Sequence, residues 1–204
     1  MKMKFTFLRY SFYAALTYGL MEVMKFDAET TTEAVKFSET SLVEQLQNVF
    51  LLLCLIFLAG SKNLPAVKYI MMLVLGLFFI REQDAFLDTA LMEHGWKILC
   101  VIYAIALGYK IYTLRNRVMK ELNQYLQSAS SGILFIGLTT LLIFSRMFGR
   151  KKFWIAVEAT ENYTRNVKNA AEECTELFGY FLILIGVIEF YFFAKNTMKK
   201  LEVI

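Results

Sequence analysis

Apolar residues run along this chain in six blocks, each close to the length a helix needs to cross a bilayer core, with short polar connections between them. The blocks predict helices over about 5–24, 42–59, 66–87, 96–114, 132–148 and 172–194. The polar stretch 25–40 sets Asp27, Glu29, Glu33 and Glu39 against Lys25 and Lys36, and Ser38-Glu39-Thr40-Ser41 reads as a cap that opens the second helix. Gly60-Ser61-Lys62-Asn63-Leu64-Pro65 predicts a tight turn. Pro65 suits the first position of the third helix, where its missing N–H costs nothing. The third block does not end cleanly: Arg81, Glu82 and Asp84 fall in its outer third, where a charge needs a partner or a wet cavity.

Composition turns these blocks into a class. The 204 residues are 57% hydrophobic and 16% aromatic, with one proline and a mean hydropathy of +0.48. Soluble domains lie nearer about 45–50% apolar. The expectation is an all-α polytopic membrane protein, one transmembrane domain over 1–204, built as a bundle of about six transmembrane helices. Met1-Lys2-Met3-Lys4 resembles the start of a signal peptide, but Arg9 and Glu22 interrupt the apolar run and no small-residue cleavage site follows, so a retained helix is expected. Cys54, Cys100 and Cys174 are odd in number and far apart, which suits buried packing and no zinc or redox pair. The net charge of +4 lies in short loops without interleaved aromatic residues, so no nucleic-acid partner is expected. Asn162-Tyr163-Thr164 fits a glycosylation sequon.

Charge also sets orientation. Lys2 and Lys4, then Lys62 and Lys68, then Lys110, Arg115, Arg117 and Lys120, then Lys195, Lys199 and Lys200 fall on alternate connections and the tail. Basic loops stay inside, so both termini are expected in the cytoplasm of a bacterial inner membrane. Arg146, Arg150, Lys151 and Lys152 fall on the outer side of this scheme and conflict with it, unless 153–171 is interfacial or the fifth helix is re-entrant.

On that threading, acids gather at the outer, periplasm-facing ends of four helices: Glu22 on the first, Glu44 and Gln47 on the second, Arg81, Glu82, Asp84 and Asp88 on the third, and Glu172, Glu173 and Glu176 on the last. Arg81, Asp84 and Asp88 share a face of a continuous helix, as do Glu44, Gln47 and Asn48, and Glu172, Glu176 and Tyr180. Such carboxylates hold protons or a cation when packed together. The simpler reading is that acids at helix amino termini complement the dipole, which accounts for Glu44, Glu172 and Glu173. It does not account for acids that end a helix, and a Glu22–Arg81 pair would then lock two helices. A divalent cation would be Mg²⁺, Mn²⁺ or Ca²⁺, held by Glu82, Asp84 and Glu176, because zinc prefers histidine and cysteine and the chain has one histidine, His94. Arg9 and Glu189, at the inner ends of the first and last helices, read as a tying pair.

Glu39–Glu44–Gln47 before one apolar helix, Arg81-Glu82-x-Asp84 ending the next, and Glu172-Glu173-x-x-Glu176-Leu177-x-Gly179-Tyr180 opening the last resemble a pattern in uncharacterised bacterial multi-pass membrane proteins. That resemblance implies no activity. The acids also look somewhat like those of membrane hydrolases related to ceramidases, but those need several histidines for metal, so their chemistry is not transferred. Three functions follow. The cluster binds a cation or a protein partner, with a second copy or another membrane protein as that partner and the lipid bilayer around it. Alternatively the chain is a metal-dependent enzyme on lipid or lipid-linked substrates, with Glu82 or Asp84 as metal ligand or base and Arg81 on phosphate. As a third reading it is a small cation or proton transporter or channel, although only Thr139 and Thr140 and the helix ends offer a polar route.

Overall fold

The structure is a computed structural model and describes residues 2–31, 36–38, 41–90, 93–158 and 163–201. Glu33, Glu39 and the sequon asparagine Asn162 lie outside the described residues. The described chain is helical, without a strand. Its helices are α1 (Lys2–Thr30), α2 (Leu42–Gly60), α3 (Pro65–Glu82), α4 (Asp84–Ala90), α5 (Gly95–Thr113), α6 (Arg115–Leu126), α7 (Ala129–Phe148), α8 (Lys151–Glu158) and α9 (Arg165–Leu201). Among the described residues, four stretches are long and apolar enough to cross a membrane: Leu42–Gly60, Gly95–Thr113, Ala129–Phe148 and Arg165–Asn196. α1 and α3 are not among them. α3 carries Lys68, Arg81 and Glu82 within its 18 residues, and α1 carries Arg9, Glu22, Lys25, Asp27 and Glu29.

The chain divides into two compact units, with the boundaries inside α2, α7 and α9. Unit one holds Met1–Gln47 and Gly137–Phe181. In it, Asp27 near the end of α1 reaches the start of α2: its carboxylate oxygens accept the N–H groups of Leu42 and Val43, each at 3.2 Å. Ser41 Oγ accepts the Glu44 N–H at 3.3 Å. The first turn of a helix leaves N–H groups without intrahelical partners, and here two side chains supply the acceptors. Lys36 and Asn166 fasten the neighbouring loop to α9, with Asn166 Oδ1 accepting the Lys36 N–H at 3.2 Å. α7 widens at Thr140–Phe144 into a π-helical turn, and the Ser145 N–H bonds Thr140 O, five residues back. Beside that turn α9 offers Gly179, where an added Cβ would stand 3.1 Å from Leu141 N.

Unit two holds Asn48–Ile136 and Leu182–Ile204. Pro65 opens α3 as its N1 residue, after Leu64 at φ 52°. The N–H of Ala66, the second residue of α3, is taken by Glu121 Oε2 of α6 at 2.8 Å. Asn63 Nδ2 donates to Ala194 O at 2.9 Å, which ties the α2–α3 turn to α9. α3 also packs on α5, where Tyr103 donates to Met72 O at 2.7 Å and its ring covers Gly76. Only 6% of the α5 span is buried within the chain, against 67% of the α9 span. The rest of α5 presents Ile98, Val101, Ile102, Ile105, Tyr109 and Tyr112 outward.

α2 runs through both units on a regular seam. Val43 and Gln47 in unit one, and Leu51, Cys54 and Leu58 in unit two, are its buried residues at steps of three and four. In unit two, α9 approaches α7 at Gly186, where a Cβ would stand 2.9 Å from Leu134 N, a backbone atom that cannot rotate away. Close backbone approach at small residues is how membrane helices pack. Gly186→Ala is therefore expected to cost about 1–3 kcal/mol, the usual range for overpacking. Gly19→Ala meets nothing within 4 Å on α1. It is expected to be neutral or to stabilise by roughly 0.5–1 kcal/mol, because glycine is the costlier helix residue. Thermal unfolding of both variants in detergent measures the contrast.

Candidate functional site

In unit one the acids of α9 meet α2 and α7. Gln47, 1% exposed, donates from Nε2 to Glu173 Oε2 at 3.2 Å and lies 3.4 Å from Glu173 O. Arg146, at the end of α7, stands 3.3 Å from Glu176 Oε1 and 3.8 Å from Glu172 Oε1. Lys168, one turn before Glu172, holds its other oxygen at 2.8 Å. Ser145 is fully buried; its hydroxyl donates to Leu141 O at 2.6 Å and lies 3.3 Å from Glu176 Oε1. Glu44, Glu172 and Glu176 all act electrostatically on Glu173. The cluster thus holds four carboxylates, two cations, one amide and one hydroxyl.

The π turn explains how α7 presents this pair. One extra residue in a helical turn rotates everything beyond it by about 100°. Ser145 and Arg146 follow the turn directly, and both point at α9. The same widening leaves Leu141 O to the Ser145 hydroxyl, so the shorter bond of that hydroxyl is spent within its own helix.

The predicted residues do not all fall here. Glu44, Gln47, Glu172, Glu173 and Glu176 are together in unit one. Glu22 is also in unit one but exposed on α1, where Tyr18 hydrogen-bonds it and a shallow hollow is lined by Glu22, Val23, Lys25, Phe26 and Glu29. Arg81, Glu82 and Asp84 belong to unit two. They do not lie on one continuous helix. α3 stops at Glu82, short of the expected 87, and Asp84 starts α4, with Gln83 between them at φ −100°, ψ 14°. The break eases the dipole conflict in part: Arg81 stands in a last turn and Asp84 in a first turn, where each sign suits its end, while Glu82 still closes α3. Arg81 and Asp84 are exposed, and the polar tie at this place comes from Gln83, which donates to Asn48 Oδ1 at 2.6 Å. Arg9 belongs to unit one and Glu189, buried on α9, to unit two. His94 is exposed and sits at φ 64° immediately before α5.

Several partners were not visible as such in the sequence. Arg146 reads there as a topological conflict and Asp27 as part of a polar segment, while Glu121 lies unremarked in a polar stretch after Lys120. Their partners lie far along the chain, 15 residues for Asp27 to Leu42 and 55 for Glu121 to Ala66. Outside the candidate spans, Tyr125 of α6 is buried against Phe190 with ring centroids 5.4 Å apart, and burial pushes its phenol up to about 12, so it stays neutral. Among the described residues, no three of His, Cys, Asp or Glu are grouped so as to hold a metal ion. Of the proposed ligands, Glu82 and Asp84 lie in unit two and Glu176 in unit one.

Among the described residues, fold and site define an all-helical chain with four helices able to cross a membrane and a charged knot within unit one. The chain matches no protein-family model, no curated protein and no solved structure.

Arg146→Met removes the cation that faces Glu176, which is only 7% exposed. Because the arginine itself is half-exposed, the expected loss is about 2 kcal/mol, below the range for a fully buried pair. Adding Glu176→Gln should restore about half of that loss. Denaturant unfolding of the four proteins in this double-mutant cycle measures the coupling, and strict additivity would show that the pair does not bind the helices together.

Proposed function

We propose that the chain is a multi-pass membrane protein that works as a partner subunit, joined to a second copy or to another membrane protein, and that its acids serve that architecture and carry out no reaction. The observation that carries this reading is α5, a helix able to cross a membrane of which the chain itself buries 6%. The resolved bonds of the buried acids support it: Asp27 is spent on the start of α2, Glu121 on the start of α3, and Glu176 on Arg146. The Ser145 hydroxyl, donated to its own helix, gives no sign of a nucleophile. In this reading α1 and α3 complete six crossings in a bacterial inner membrane, both termini are cytoplasmic, and the acidic cluster faces the periplasm.

Cation binding is the second reading, favoured by the excess of Glu44, Glu172, Glu173 and Glu176 over Arg146 and Lys168. Mg²⁺, Mn²⁺ or Ca²⁺ would then complete the charge balance, whether at rest or in passage. Mass measurement of the intact protein released from lipid nanodiscs tests the first reading. More than one chain per particle, reduced to one by Ile102→Lys and Ile105→Lys on the exposed face of α5, is the expected result. A single chain in wild type, with saturable divalent-cation binding by calorimetry, supports the second.

A further inference from the structure

α7 is followed at once by a basic patch that the charged knot does not use. Arg150, Lys151 and Lys152 are consecutive and exposed, and α8 begins at Lys151, three residues past the end of a helix able to cross a membrane. Among the described residues, no carboxylate lies within ion-pair distance of these three side chains. Lys151 lies over the Tyr163 ring at 5.2 Å. The dipole of α8 offers these residues nothing, since its start is the positive end. Exposed charge of this kind can attract an anion from outside the chain.

The aromatic side of α8 says where that anion is. Phe153 and Trp154 pack on Phe148, the last residue of α7, with ring centroids 5.9 and 6.0 Å away, and on each other at 5.4 Å. Trp154 Nε1 donates to Phe148 O at 2.6 Å, closing the end of α7. Tryptophan with its indole N–H satisfied and its ring among phenylalanines is suited to the boundary between hydrocarbon and headgroups. The same contacts hold α8, and the bases with it, against the end of a helix able to cross a membrane. A short amphipathic helix with bases on one side and aromatics on the other lies in the plane of that boundary.

We propose that α8 is an interfacial helix and that Arg150, Lys151 and Lys152 bind the phosphate groups of anionic phospholipid in the leaflet where α7 ends. This placement also accounts for bases on the side where loops are otherwise acidic: they are held by lipid and need not follow the rule for free loops. Trp96→Phe leaves Trp154 as the only tryptophan of the full chain. That variant is placed in vesicles of equal phosphatidylcholine and phosphatidylglycerol, with bromine on the tails of one lipid or the other. Brominated phosphatidylglycerol is expected to quench Trp154 as though enriched about fivefold, the factor one basic residue near an anionic surface supplies. The preference should vanish with Arg150→Gln, Lys151→Gln and Lys152→Gln together, and fade for the unaltered patch in high salt. Equal quenching by both lipids, or a preference that survives the triple variant or high salt, overturns the proposal; the latter would assign the contact to packing or to another partner.

Discussion

In a membrane, backbone N–H groups at a helix start must be satisfied by the protein itself wherever water does not reach, and that constraint organises this chain. Two helices begin with their N–H groups held by a carboxylate from elsewhere: Asp27 of α1 serves α2, and Glu121 of α6 serves α3. Each bond does three things. It satisfies a donor, it neutralises the positive end of a helix, and it fixes where one helix begins relative to another within its unit. A local cap is worth about 1–2 kcal/mol. A remote one adds topological information that no residue inside α2 or α3 could supply.

The charged knot of unit one follows the same economy. Arg146 and Lys168 answer Glu172 and Glu176, and Gln47 answers Glu173. Buried pairs of this kind add little net stability but lose much when one member is removed. Their effect is to specify which faces of α7 and α9 meet, and the π turn aims Ser145 and Arg146 accordingly. The glycines complete the arrangement without charge, by letting backbone approach backbone at Gly179 and, in unit two, at Gly186.

What the sequence made legible is local. The apolar blocks mark helices, and Pro65 marks the start of α3 because a missing N–H is tolerated only there. Glu172, Glu173 and Glu176 stand out as acids beside a long apolar block, and they meet Gln47 and one another, but α9 starts at Arg165 with no acid in its first turn, so they do not open the helix or serve its dipole as expected. The break at Gln83 was hidden because Arg81 to Asp88 has no glycine or proline to mark it. The break puts Asp84 in the first turn of α4, where an acid is favourable. The π turn leaves no mark in Thr140–Phe144 either. Arg146, Asp27 and Glu121 were visible as charges but not as partners, because the pairing is made by packing across many residues of chain.

Buried acids holding the starts of α2 and α3 are the constraint on which the rest of the structure depends. Amide hydrogen exchange in lipid nanodiscs, comparing wild type with Asp27→Ala and Glu121→Ala, tests it directly. The predicted result is faster exchange at Leu42 and Val43 in the first variant and at Ala66 in the second, with the distant turns of α2 and α3 still protected. Unchanged exchange at those amides in both variants would contradict it and return the acids to the role of a ligand site.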